Sequence, residues 1–107
     1  MTYQICITDR AEKDLRNIFE YVAFELQEMQ VAVGLLARLE EEINSLSYMP
    51  ERYRLYDREP WRSRNLHIMP VENYLVFYIP DAITQKVSVV RVFYGRRDIA
   101  GQLSQID

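Results

Sequence analysis

From Ala11 to Leu46 the apolar residues of this chain fall at steps of three and four, and that periodicity restricts its architecture more than any other feature. Ala11, Leu15, Ile18, Phe19, Val22 and Leu26 form one stripe; Ala32, Leu35, Leu36, Leu39, Ile43 and Leu46 form a second. Each is the mark of a helix that buries one face. The polar break over 27–30 is short, so the two helices are expected to fold back as an antiparallel hairpin. Asp9, three residues before Glu12, offers an N-cap of the capping-box kind. A helix from Asp9 to about Gln27 presents a surface about 28 Å long at about 1.5 Å per residue. Lys13, Asp14, Arg16, Glu20 and Glu28 are assigned to its solvent face, and Met49 with Pro50 closes the second helix.

Tyr3 to Thr8 reads as a short opening strand. Residues 51–60 are polar, arginine-rich and bounded by Pro50 and Pro60, the composition of a surface connection. Three further strands are expected at Trp61–Ile68, Tyr74–Ile79 and Lys86–Tyr94, with turns over 70–73 and 80–85. Connections this short imply an antiparallel meander. The expected fold is α+β with order βααβββ: a two-helix antiparallel hairpin packed on one face of a small, mostly antiparallel four-stranded sheet. A short helical tail follows from Asp98, and the other sheet face stays open to a ligand.

A chain of 107 residues with 49% hydrophobic content supports one core, so a single domain over 1–107 is expected. No apolar run approaches the roughly 20 residues that cross a bilayer, and the N-terminus does not resemble a signal peptide. A soluble, cytoplasmic protein with no membrane partner is expected. The one cysteine, Cys6, lies between Ile5 and Ile7 and is read as a buried thiol. Three scattered glycines exclude a phosphate-cradling loop; no cofactor, metal or small-molecule substrate is expected. Charge is segregated. Residues 1–49 hold four basic and nine acidic side chains, residues 50–97 nine basic and five acidic, and residues 98–107 two acidic ones. An acidic chain with net charge −3 cannot rely on bulk attraction to a polyanion, so anion recognition must be local to the later half.

That half supplies the candidate site. The strand Lys86–Tyr94 runs into Gly95, Arg96, Arg97 and Asp98, where a glycine permits a turn that holds two guanidinium groups at a sheet edge. Arg91 interrupts an otherwise apolar strand, which calls either for a buried partner or for a place on the open face. Arg62 and Arg64, two apart, share one face of a regular strand, yet the same spacing puts Leu66 and Ile68 beside them. That conflict points to a bulge or a sheet end. Tyr94 adjoins the arginine turn. His67 has no acidic, cysteine or histidine neighbour in sequence and reads as structural. Target or phosphate contact is assigned to Arg62, Arg64, Arg91, Tyr94, Arg96 and Arg97, with Arg97, Arg91 and Tyr94 the catalytic candidates if there is a reaction. The site expectation is that these cations share one rigid surface.

A helix carrying Ala11, Asp14, Leu15, Ile18 and Tyr21, then Pro50, Arg64-x-Leu66, Asn73-Tyr74-Leu75-Val76-Phe77-Tyr78 and Val92-Phe93-Tyr94-Gly95-Arg96-Arg97-Asp98, together resemble the RelE/ParE toxin superfamily over nearly the whole chain. The resemblance implies the toxin of a bacterial type II toxin–antitoxin system, neutralised by a cognate antitoxin, with roles in plasmid stabilisation or growth inhibition.

Two mechanisms compete within that resemblance. RelE-like members are ribosome-dependent mRNA endoribonucleases that hold the scissile phosphate with Lys and Arg. In such sequences an arginine usually stands where this chain has Tyr74, and a tyrosine or histidine near Leu103; Arg97 falls where a catalytic arginine falls. ParE-like members are binding poisons of DNA gyrase and favour an Asn-Tyr pair in the third strand, a longer helical hairpin and less basicity, all features of this chain. The resemblance is therefore closer to the ParE-like branch. An inactive member that only binds its antitoxin is a third alternative.

Overall fold

The computed structural model describes residues 2–95 and 99–104. Strand β1 (Gln4–Ile7) leads into helix α1 (Asp9–Glu20), which continues as a π-helical turn over Tyr21–Glu25. Helix α2 (Met29–Ser45) returns beside it, and a 3₁₀ turn at Pro50–Arg52 precedes strands β2 (His67–Val71), β3 (Tyr74–Asp81) and β4 (Lys86–Tyr94) and helix α3 (Ile99–Leu103). The sheet order is β1-β4-β3-β2. β1 runs parallel to β4, whereas the β2–β3 and β3–β4 pairs are antiparallel. The α+β, βααβββ expectation therefore holds.

Several boundaries differ from the sequence reading for identifiable reasons. Thr8, not Asp9, caps α1: its Oγ1 accepts from the Ala11 amide at 3.2 Å and donates to the Val89 carbonyl at 3.0 Å. The first helix is α-helical only to Glu20, and the Leu26 amide then bonds the Tyr21 carbonyl, a π-type register. α2 stops at Ser45, and Met49 enters the left-handed region at φ 48° before Pro50. The strand expected at Trp61–Ile68 is displaced along the chain to His67–Val71. Residues 61–65 form turns, β2 begins only at His67, and the face conflict around Arg62 and Arg64 disappears with that shift. Cys6 is half-buried rather than buried, because β1 is an edge strand. Gly95 does not adopt a positive φ; its amide donates to the Asn73 carbonyl at 2.9 Å, and a Cβ there would stand 3.3 Å from that oxygen. Close approach to β3 thus accounts for this glycine, and the turn expected beyond it lies outside the described residues.

Two apolar layers sandwich the sheet. On the helical side Leu15, Leu39, Ile43 and Leu46 meet Met69, Val71, Val76, Tyr78, Val87, Val89 and Val92. The opposite face, expected to be open, is covered: Tyr56, Leu66 and Leu103 pack on Ile68, Phe77 and Phe93, with Trp61 and Ile99 alongside. The cover consists of α3 and of the segment over 50–66, here called the strap. The strap runs along β2 through a bridge between Leu55 and His67, with the Ile68 amide on the Arg54 carbonyl and the Tyr56 amide on the Leu66 carbonyl.

Truncating Leu39, which has no exposed surface, to alanine is expected to lower stability by about 2–5 kcal/mol in urea unfolding; a loss under about 1 kcal/mol would contradict this packing. Burial pushes the Tyr78 phenol well above its ordinary value, and its hydroxyl donates to the Pro50 carbonyl at 2.6 Å. The unfolded chain then gives up this proton first as pH rises above about 10, so stability falls with pH in that range. Tyr78→Phe is expected to flatten the alkaline slope of stability against pH, and an unchanged slope would count against the assignment.

Candidate functional site: a cleft along the unpaired half of β4

β1 ends at Ile7, which pairs with Val89, whereas β4 continues to Tyr94. The second half of β4 therefore has a sheet partner on one side only. In the pairing with β3, the register steps from Phe77–Arg91 to Tyr78–Val89, leaving Val90 as the extra residue of a β-bulge. The bulge reverses the alternation of side chains. Val87, Val89 and Val92 all enter the helical-side core, while Phe93 joins the opposite layer. Without the extra residue, Arg91 would follow Val87 and Val89 into apolar packing; with it, the guanidinium reaches round the sheet edge.

There it meets Asp14. Arg91 Nε donates to Asp14 Oδ2 at 2.6 Å and Nη2 to Oδ1 at 3.2 Å. Nη1 donates to the Gln102 carbonyl at 2.7 Å and Nη2 to Gln102 Oε1 at 3.3 Å, and the group lies 5.4 Å from the Phe93 ring centroid. Asp14 Oδ2 also accepts the Val92 amide at 3.0 Å. One carboxylate thus stands where a neighbouring strand's carbonyl would be and neutralises the guanidinium. Arg91 is only 2% exposed and Asp14 8%. Desolvation on that scale is tolerated because the charges are paired and further hydrogen-bonded.

Above this pair lies a cleft of about 640 Å³ between α1, the π-helical turn, β4 and α3. Asn17, Ile18, Tyr21 and Leu26 form one wall, and Tyr74, Tyr94, Phe93 and Gln102 the other. Tyr74 and Tyr94 meet edge to face at 5.6 Å and 80°. Tyr21 and Leu26 are about half exposed, as are Phe24, Met29 and Val33 at the hairpin tip, so apolar surface runs from the tip into the cleft. Among the described lining residues Arg91 is the one cation, and no histidine is present. The cleft walls are thus mostly aromatic and aliphatic, and the one charge pair among the lining residues, Asp14 with Arg91, is closed on itself.

The sequence-derived candidates are dispersed. Arg91 and Tyr94 share the cleft. Arg62 and Arg64 sit in the turns of the strap that precede β2. Arg96 and Arg97 lie outside the described residues. Of the described candidates, Arg91 is internal and lines the cleft with Tyr94, whereas the exposed Arg62 and Arg64 are not among its lining residues. His67 is buried, with Nδ1 2.8 Å from the Tyr53 carbonyl and Nε2 3.2 Å from Asn65 Oδ1, stacked on Tyr78, in keeping with a structural role. Asp14, which its charge assigns to the solvent face, is instead buried against β4. Its position, three after Ala11 and four before Ile18, was the available signal. Among the described residues no group of three or more His, Cys, Asp or Glu side chains is gathered that would hold a metal ion, and no helix is long and apolar enough to cross a membrane.

Comparison with known proteins agrees with the geometry. The family model described as the ParE toxin of the type II toxin–antitoxin system parDE matches residues 5–99. This chain belongs to the ParE toxin family. No curated protein sequence matches it. The chromosomal ParDE system of P. aeruginosa is similar in structure at TM-score 0.70, with 14% identity over 87% of this chain and 96% of that one. The Mycobacterium tuberculosis toxin–antitoxin complex RelBE2 follows at TM-score 0.68, with 21% identity over 88% and 92%. The free E. coli toxin RelE, as an arginine double mutant, is similar at 0.66, with 14% identity over 95% and 93%. At such identities these neighbours share the fold of this toxin of the RelE/ParE superfamily.

Removing Asp14 leaves the Arg91 charge buried without its carboxylate and the Val92 amide without an acceptor. Asp14→Ala is expected to cost about 3–5 kcal/mol in chemical unfolding; a loss below about 1 kcal/mol would show that the pair does not hold α1 to β4.

Proposed function

We propose that this ParE-family chain is a binding poison of DNA gyrase, neutralised by a cognate antitoxin whose extended segment occupies the β4 cleft. The observation that supports a poison over a nuclease is the commitment of Arg91. Phosphodiester cleavage requires cations at the charge developing on phosphorus and an acid or base within reach. The guanidinium in the cleft already makes four hydrogen bonds to Asp14 and Gln102. Arg91 is then a positioning residue that orders the cleft wall, and Tyr94 with Arg96 and Arg97 is the proposed target-contact group.

The antitoxin reading rests on the walls of the same cleft. The β3–β4 register directs the peptide groups of Val92 and Tyr94 away from β3, and Asp14 takes the Val92 amide. An extended segment laid there gains main-chain hydrogen bonds, and an apolar side chain finds Ile18, Tyr21 and Leu26.

Purified toxin is expected to inhibit supercoiling by gyrase and to accumulate cleaved DNA, and induced cells are expected to filament with a DNA damage response. Arg97→Ala, if stably folded, is expected to reduce killing by about tenfold or more, a loss on the scale of one charged contact. Codon-dependent mRNA cuts on ribosomes with gyrase unaffected would overturn the poison reading in favour of a RelE-like endoribonuclease. Normal growth on induction would leave only an antitoxin-binding role.

A further inference from the structure

The strap carries five arginines in thirteen residues, Arg52 to Arg64, against the two acids Asp57 and Glu59. No other stretch of this length holds as many arginines, in a chain that is acidic overall. Arg52 is committed: Nη1 donates to the Met49 carbonyl at 3.1 Å and Nη2 to Ser45 Oγ at 2.9 Å, closing the end of α2. The other four are exposed. Arg58 and Arg62 stand on one helical turn, with the Arg62 amide on the Arg58 carbonyl at 2.9 Å, which places them on the same side. The Arg54 carbonyl accepts the Ile68 amide of β2, and Tyr56 and Trp61 both pack on the layer beneath α3. Arg64 lies over Trp61, 5.1 Å from the ring centroid. The acids have local partners, Asp57 with Arg62 at 3.2 Å and Glu59 with the Ser63 amide at 3.0 Å. The Ser63 hydrogen bonds hold the Glu59 carboxyl below its ordinary value.

We propose that the strap is a docking surface for the phosphate backbone of duplex nucleic acid, with Arg54, Arg58 and Arg64 as the principal contacts and Arg62 beside them. Two features select this ligand class. The strap aromatics do not offer open faces: Arg64 covers Trp61 and Arg52 covers Tyr53 at 4.9 Å. Stacking of unpaired bases, the basis of single-strand recognition, is therefore not provided for, whereas point contacts to phosphates are. A protein interface of standard strength also needs apolar anchors at its centre, and the exposed large apolar residue of the strap is Leu55, 37% exposed. A regular polyanion suits guanidiniums without such anchors.

The strap joins β2 through Arg54 and Leu55, and none of its residues lines the cleft, so cleft and strap can be engaged together. The inference goes beyond the gyrase reading. It gives the toxin a contact with DNA itself, the duplex on which such a target works.

The test is fluorescence anisotropy of a labelled random-sequence duplex of about 20 base pairs with the purified chain, gyrase being absent. Neutralising three phosphates predicts that the logarithm of affinity falls against the logarithm of salt with a slope of about −2.7, roughly a 40-fold loss between about 50 and 200 mM. The variant Arg54→Ser, Arg58→Ser, Arg62→Ser, Arg64→Ser is expected to lose at least about tenfold in affinity at about 50 mM salt and to flatten the slope. Lysine at the same four positions should retain both, and Arg38→Ser on α2 should change neither. If the serine variant fails to fold, the lysine variant carries the test alone through its slope. Absence of salt-dependent duplex binding, or full binding by a folded serine variant, would overturn the proposal. Tighter binding of poly-glutamate would reassign the strap to an acidic protein partner, and a clear preference for single strands would remove the duplex assignment. Because gyrase is absent, failure here leaves the supercoiling outcome untouched.

Discussion

The bond between Asp14 and Arg91 is the contact on which the rest of this structure depends. A four-residue β1 cannot cover a nine-residue β4, so peptide groups beyond Val89 need partners from elsewhere. Asp14 serves the Val92 amide and the Arg91 guanidinium with one carboxylate. Arg91 in turn holds the Gln102 carbonyl of α3. A single ionic cluster at the sheet edge thus ties α1 to β4 and α3, with Asp14 and Arg91 77 positions apart. The cleft exists because the substitute for a strand is a side chain, which fills less space than a strand would.

The bulge at Val90 makes that arrangement possible. Arg91 follows the β-branched pair Val89–Val90 and precedes Val92, so strict alternation would bury its charge against Leu15 and Leu39. One extra residue moves it to the edge and returns Val92 to the core. The apolar layers on both sheet faces are then continuous, and the charge sits where a carboxylate from α1 can meet it.

The helical hairpin and the strand Lys86–Tyr94 were legible because their apolar spacing is regular and their burial one-sided. The strap was not. Trp61, Leu66 and Ile68 read as parts of one strand, but Trp61 is held by a turn, Leu66 stands just before β2 and Ile68 lies within it; all three reach the same apolar layer from different local geometries. Local periodicity cannot separate those cases. Asp14 was hidden for another reason: a charged residue on an apolar stripe reads as solvent-facing until its partner is known, and that partner lies 77 positions away. The covered second face followed from the same blindness, since strap and α3 reach it through long-range contacts.

Functionally, the two ends of the sheet are different surfaces: a cleft lined by tyrosines and aliphatics whose own charge is neutralised internally, and an arginine-bearing strap beside β2. The central claim is that the ionic cluster, not helix packing alone, holds the cleft in shape. A double-mutant cycle between Asp14→Ala and Arg91→Ala in urea unfolding tests it most directly. A coupling energy of about 2 kcal/mol or more is expected for two charges sharing buried hydrogen bonds, and additive losses with coupling near zero would contradict it.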